Sequence, residues 1–350
     1  MSNTVTRVAI VQHSPAVLDV RAGLARARQY VAEAAAQGAE LVVFPESWLG
    51  GYPAWMFVMA EWADETGRDW YRTFLAESID TSDERFHELR AIARDSAVTI
   101  VMGFNERRSP EGGSVYNSLV TIGPAGDVLN LHRKLTPTHT ERLGWAPGDG
   151  RGLRVVDTPV GRLGGLICWE HWHPLARYTL HAQDEQIHVA SWPDMSTMHQ
   201  IAGRHYAIEG RSFVLSAAQL LRLADVPAEL RDAYDRGVGR LSDDPEVGFN
   251  GGSSIIGPDG EYVVEPVFDE ERTIVADIDL SQRDRLSHDL DVAGHYGRRD
   301  IFSLRVDTAP RDAIEFAQRD HAPHGSGPHG SGPHSARPHG SGPLGGEHRE

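Results

Sequence analysis

The feature that most constrains this chain is a repeated alternation of short apolar runs with stretches of helical periodicity. Val8-Ala9-Ile10-Val11 reads as a strand, and Leu24, Ala27, Val31 and Ala34 then recur at helical spacing, with Gly38 placed to end that helix. Leu41-Val42-Val43-Phe44 is the next strand and stops at Pro45-Glu46. Thr81-Ser82-Asp83-Glu84 resembles a capping box opening a helix with Phe86, Leu89 and Ile92 on one face, and Val98 to Gly103 follows as a strand. Ile187 to Ser191 and Phe213 to Ala217 are further buried-strand candidates. Alternation of this kind predicts an α/β fold, a sheet with helices packed on it. Two turn signals, Gly123-Pro124-Ala125-Gly126 and Gly257-Pro258-Asp259-Gly260, lie between β-rich runs and echo each other, which points to two similar halves.

The 350 residues carry a formal net charge of -16. That balance argues against nucleic acid and against an anionic membrane surface, and it fits a protein that meets a small molecule. A single cysteine forms no internal disulfide, so the cytoplasm is the expected compartment. Met1-Ser2-Asn3-Thr4-Val5 lacks the basic and apolar segments of a secretory signal, and no apolar stretch approaches the ~18 residues of a membrane span. The polar stretch from Arg222 to Val247 is expected to form an external loop or helix. Residues 1–310 read as one domain and 311–350 as a disordered tail. There His324, His329, His334 and His339 recur in a Gly, Ser and Pro background too poor in apolar residues to repay its ordering entropy. Such a tail is read as solvated, with only adventitious metal affinity.

Four separated residues carry the chemistry. Cys168 ends the apolar run Leu163-Gly164-Gly165-Leu166-Ile167, and a strand ending in a sharp turn leaves its last residue exposed at the mouth of the sheet. The two glycines let other backbone pack closely there. Glu46 sits at a strand's carboxyl end, where open α/β sheets place ligands, and burial there raises a carboxyl toward the range of a general base. Lys134 follows Val128-Leu129-Asn130-Leu131, and its ammonium lowers a nearby thiol's pKa from about 8.5 and stabilises developing negative charge. Glu141, in Thr140-Glu141-Arg142, is placed to orient that lysine or to exchange protons with substrate nitrogen. Each alone has a plainer reading: a buried structural cysteine, a surface glutamate, a solvated lysine, an exposed loop acid.

Together these segments resemble the nitrilase superfamily of carbon-nitrogen hydrolases. Gly164 to Arg177, with Cys168-Trp169-Glu170-His171, resembles its cysteine signature, and Pro45-Glu46, Arg133 to Thr138 and Glu141-Arg142 match its other active-site segments in order. Cys-Trp-Glu-His resembles the nitrilase branch, as does Glu185 to Pro193. Gly294 to Asp300 resembles a C-terminal motif of that branch, with Arg299 where proline is usual. The resemblance implies a four-layer αββα sandwich that pairs into an eight-layer dimer, with some relatives extending into spiral filaments. It also implies hydrolysis of an organic nitrile to the acid and ammonia through a thioimidate and a thioester, without metal or organic cofactor. The carbonyl-stabilising N–H would come from Trp169. Tyr52, Trp55 and Trp172 are candidate pocket residues, equally readable as core or interface packing, and His171 and His173 are read as supporting or surface residues. An amidase of the same superfamily, a cyanide-hydrolysing enzyme and an idle scaffolding protein are the alternatives.

Overall fold

The computed structural model describes residues 4–239 and 241–309. The expected disordered tail at 311–350 lies outside the described residues.

The first half of the chain builds one sheet. β1 (Val5–Gln12), β2 (Leu41–Val43) and β3 (Thr99–Arg107) run parallel, and β4 (Val115–Ile122) and β5 (Val128–Arg133) continue antiparallel. The second half repeats the plan. After the short β6 (Val156–Thr158), β7 (Gly161–Ile167), β8 (Ile187–Trp192) and β9 (Phe213–Ala218) run parallel. Beyond the short β10 (Leu220–Arg222), β11 (Val247–Ile256) and β12 (Tyr262–Phe268) then turn back antiparallel. β13 (Arg272–Asp279) crosses to the first sheet and pairs along all of β1. The echoed turns occupy matching places, between β4 and β5 and between β11 and β12. In each the last glycine has positive φ, 80° at Gly126 and 82° at Gly260, so the two halves do share one design.

Alternation within single strands sets the layers. Val8 and Ile10 of β1 join a core with Leu163, Ile167, Val189 and Leu215 of the other sheet. Ala9 and Val11 face the opposite way, into a core with Leu24, Ala27 and Val31 of α1 (Val20–Ala36). Side chains on successive strand residues point to opposite faces, so a strand covered on both sides must be apolar throughout. Beyond α2 (Met56–Met59) and α3 (Glu65–Ala76), α4 (Glu84–Ser96) packs beside α1 through Phe86, Leu89 and Ile92. On the second sheet α5 (Pro174–His181) and α6 (Thr197–Gly210) contribute Ala176, Leu180, Ala202 and Tyr206 to the shared core. The layers therefore run helix, sheet, sheet, helix. Among the described residues no helix is long and apolar enough to cross a membrane.

Three expectations need correcting. α4 is capped by Asp83, whose carboxylate accepts from the Arg85 N–H at 2.8 Å, because that side chain lies one residue ahead of the helix while Thr81 lies too far back. The Arg222 to Val247 stretch is not external throughout. Its α7 (Arg231–Val238) packs on α2, burying Leu230, Ala233 and Tyr234 against Trp55 and Phe249. Its polar composition hid an apolar face that only helical spacing displays. The glycines before Cys168 admit side chains as well as backbone: a Cβ on Gly164 would meet Glu185 Oε1 at 2.0 Å, and one on Gly165 would meet Leu119 at 2.9 Å. Among the described residues the last element is α8 (Ser281–Leu286).

Gly103 in β3 matters for the site. A Cβ there would lie 2.2 Å from the Pro45 carbonyl oxygen and 2.6 Å from the Ser47 nitrogen, backbone on both counts. Gly103→Ala is therefore expected to cost about 1–3 kcal/mol of stability as the crowded segment shifts. Chemical denaturation checks it, and an unchanged midpoint would contradict the close approach.

Candidate active site

Three strand ends and one short turn deliver the four residues. Glu46 follows β2, Lys134 follows β5 and Cys168 follows β7. Glu141 rides on a short 3-10 turn, His139–Leu143, close behind Lys134. Lys134 Nζ donates to Glu46 Oε1 at 2.9 Å and to Glu141 Oε2 at 2.8 Å, with its side chain wholly shielded from solvent. An oxygen of Glu46, an oxygen of Glu141 and Cys168 Sγ lie within 4.8 Å of one another. Atoms so close could share a metal ion, but the lysine ammonium already sits on an oxygen of each carboxylate and supplies the positive charge they require.

Each group is oriented by further bonds. Asn117 Nδ2 donates to Glu46 Oε1 at 2.6 Å, and its backbone carbonyl accepts the Lys134 N–H at 2.8 Å. Gln219 Nε2 donates to the Glu46 backbone carbonyl. Glu46 Oε2 has no partner among the described residues, which leaves a carboxylate lone pair free for proton transfer. Glu141 is saturated: Oε1 accepts from the Tyr52 hydroxyl at 2.6 Å, and Oε2 accepts from the Thr138 N–H at 2.6 Å as well as from lysine.

Cys168 has φ 52°, a left-handed conformation that a non-glycine residue adopts only when held. Glu170 and His171 hold it. The Glu170 carboxylate accepts from the Ile167 N–H at 2.7 Å, the Leu135 N–H at 2.8 Å and His132 Nε2 at 2.8 Å, so it ties the cysteine turn to the lysine loop. His171 Nδ1 donates to the Cys168 carbonyl at 2.7 Å. Burial works to raise the Glu170 carboxyl, but His132 and the two N–H groups outweigh it and hold it below the usual carboxylate range.

The electrostatics overturn one expectation. Burial, then the Glu46 charge, pushes the Cys168 thiol well above the ordinary thiol range, and the lysine's downward pull does not compensate. Burial also pushes Glu46 up to about 7 against the pull of Lys134. Burial works against the Lys134 charge, yet Cys168 and the two carboxylates more than offset it and hold this ammonium well above its ordinary range. The resting thiol is therefore protonated, with an adjacent carboxyl poised near neutrality to take its proton.

Cys168 is also buried, not exposed as a strand-end residue was expected to be. It lies at the edge of a pocket of ≈ 300 Å³ walled by Tyr52, Phe57, Trp169, Val238, Leu241 and Phe249. Two expected pocket residues do not reach it. Trp172 is 39% exposed on the surface, and Trp55 packs in the core against Phe74. Of the two histidines, His173 caps α5 through Nδ1, whereas His171 is buried behind the cysteine. Sequence reasoning passed over Asn117, Gln219 and the α7 wall. The sequence trace of Asn117 was a polar residue inside an apolar β-run, and that of α7 was the helical spacing of Leu230, Ala233 and Tyr234; Gln219 left none.

The sequence profile of the family described as carbon-nitrogen hydrolase matches residues 7–287. The chain belongs to the carbon-nitrogen hydrolase family. This carbon-nitrogen hydrolase is 38% identical over 323 residues to Nitrilase 1 of Arabidopsis thaliana, covering 91% of this chain and 91% of that protein. It is 37% identical over 329 residues to the aliphatic nitrilase of Rhodococcus rhodochrous, covering 90% and 82%. Such likeness over nearly the whole length puts it on the nitrilase branch. A carbon-nitrogen hydrolase structure from Helicobacter pylori G27 shares the fold, with a TM-score of 0.64 over 85% of this chain and 97% of that one at 19% identity.

Because the sequence holds one cysteine, alkylation reports on Cys168 alone. The rate with iodoacetamide is expected to climb with pH through an apparent pKa above the ~8.5 of an ordinary thiol. A rate already level at neutral pH would show a preformed thiolate and contradict the protonated resting state.

Proposed function

We propose that this chain is a nitrilase, hydrolysing an organic nitrile with two waters to its carboxylic acid and ammonia. The observation that carries the reading is the thiol at the pocket edge beside a free Glu46 oxygen, with Lys134 bridging both carboxylates. A nitrile carbon is a weak electrophile, so attack needs the thiol proton removed and the nitrogen protonated together.

In the proposed sequence Glu46 takes the Cys168 proton as sulfur bonds to the nitrile carbon, and that proton passes to nitrogen, giving a thioimidate. Glu46 next takes a proton from water as its oxygen adds to the same carbon. Glu46 passes that proton to nitrogen, the hydroxyl proton follows as the carbonyl forms, and the nitrogen leaves as ammonia with a thioester remaining on sulfur. A second water, deprotonated in the same way, releases the acid and restores the thiol. Lys134 and the Trp169 N–H stabilise charge on the tetrahedral intermediates, and Glu141, fixed by Tyr52, keeps the ammonium aimed. Trp169 and Tyr52 also bound the substrate, whose side chain meets the apolar wall of Phe57, Val238, Leu241 and Phe249.

The enzyme is read as a cytoplasmic homo-oligomer. Leu175 on α5 and Met198, Ile201 and Ile208 on α6 are apolar yet exposed, which supports a second copy covering that face. Sedimentation giving the mass of one chain would rule the oligomer out.

Ammonia release from a panel of nitriles with their matching amides tests the function. Nitriles are expected to be turned over well ahead of amides. Release from amides alone would move the chain to amidase chemistry, and no release from either would leave the fold without this activity. Cys168→Ala is expected to abolish turnover with folding intact, and substantial residual activity would sink the mechanism. Glu46 must be unprotonated to act as base, so kcat/KM is expected to fall on the acid side with a midpoint near its value of about 7.

A further inference from the structure

Behind Cys168 runs a buried chain of polar side chains that the proposed chemistry does not use. His171 Nδ1 contacts the Cys168 carbonyl at 2.7 Å, and His171 Nε2 faces His188 Nε2 at 2.9 Å. His188 Nδ1 faces Glu185 Oε1 at 2.8 Å, and the Tyr206 hydroxyl donates to Glu185 Oε2 at 2.6 Å. All four side chains are buried. His171 is stacked on Trp192 and His188 on Tyr206, so neither ring is free to turn over. Gly164 has no Cβ because Glu185 Oε1 occupies that space.

Proton counting fixes the state of this chain. A carbonyl only accepts, so His171 Nδ1 carries a proton and, in the neutral ring, Nε2 accepts. His188 Nε2 must then donate. Its Nδ1 faces a carboxyl oxygen, and between these two atoms there must be one further proton, on oxygen or on nitrogen. If that proton leaves, Glu185 becomes an acceptor only and His188 keeps its bond to it by moving its proton to Nδ1. The bare His188 Nε2 then requires the His171 proton on Nε2, which leaves a lone pair on His171 Nδ1 facing the Cys168 carbonyl.

We propose that Glu185 is a positioning residue: its proton, relayed through His188 and His171, holds the strained Cys168 turn, and losing it reverses both imidazole tautomers and releases the His171 tie on that turn. The inference rests on Cys168 being the nucleophile of the proposed nitrilase.

The surroundings locate the titration. Burial pushes Glu185 up to about 7, opposed by His181 of α5, the Tyr206 hydroxyl of α6 and Arg283 of α8. Burial, reinforced by His181, pushes His188 well below the ordinary histidine range, against the smaller pull of Glu170, which puts the shared proton on Glu185. His171 is pushed the same way by burial and by His188, with its bond to the Cys168 backbone and Glu170 opposing and Arg177 adding to the fall, so it stays neutral. Glu209 lies further out, engaged by Arg177 and His181. The working form of Glu185 is the protonated one, present below about 7 and lost above it, whereas Glu46 must be unprotonated. The two carboxyls bound activity from opposite sides.

Glu185→Gln tests this on the full-length protein. The amide N–H donates permanently to His188 Nδ1 and the amide oxygen still accepts from Tyr206. Histidine 15N NMR from about pH 5.5 to about 9.5 reads the tautomers without turnover. In the unsubstituted protein His171 is expected to move its proton from Nδ1 to Nε2 as pH rises, while in Glu185→Gln it stays on Nδ1 throughout. With a turned-over nitrile, kcat/KM is expected to lose about tenfold per pH unit on the alkaline side. Glu185→Gln is expected to remove that limb and keep the acid limb. Histidine tautomers that ignore pH, or an unmoved alkaline limb in Glu185→Gln, would overturn the proposal. Absence of nitrile turnover would fail the nitrilase reading alone, since the tautomer result stands without it.

Discussion

One buried ammonium organises this molecule's site. Lys134 lies between two carboxylates with no contact to solvent, and the segments that follow β2 and β5 meet at that contact. Removing a charge from water costs several kcal/mol, repaid only where partners are close and fully hydrogen-bonded. Here they are: Asn117 and Tyr52 complete the carboxylates, and the Asn117 carbonyl holds the lysine's own backbone. Taking the lysine away would leave two carboxylates facing each other, a loss on the order of 3–5 kcal/mol. Kinetics of lysine variants therefore need a measurement of folding beside them.

The thiol is not a resting thiolate because burial, then the Glu46 charge, raises it, and the pull of the ammonium, already engaged by Glu46 and Glu141, does not compensate. The thiol's proton must travel with the reaction, and Glu46, held up to about 7, is the adjacent acceptor. The sharp turn at Cys168 serves the same end. Its left-handed backbone is tied from one side by Glu170 and from the other by His171, so the sulfur's position is set by bonds made well outside the pocket.

Much of this was legible in the chain. Strands covered on both faces must be apolar throughout, so Val8 to Val11 and Leu41 to Phe44 announce themselves, and α/β sheets put ligands at strand ends, where Glu46, Lys134 and Cys168 stand. What escaped were relations that sequence distance hides. Gln219 is bonded to Glu46 across a separation of 173 residues. The wall supplied by α7 looked like solvated chain because Leu230, Ala233 and Tyr234 are scattered among charges and line up only once the helix winds. Aromatic identity misled in the other direction: Trp172 and Trp55 sit near the motifs in sequence, but one is on the surface and the other in the core, while Tyr52 contacts Glu141 directly. The thiol's state was misjudged because a neighbouring cation is visible in sequence, whereas burial and a competing pair of carboxylates are not.

The most direct test is intact-mass and peptide-level mass spectrometry of protein acid-quenched during turnover of a nitrile. The expected result is a chain carrying the substrate's acyl group on the peptide that contains Cys168, appearing as the first ammonia is released. Ammonia release with no covalent species at any time, or an adduct on any other residue, would contradict a nucleophilic thiol served by Glu46 and Lys134.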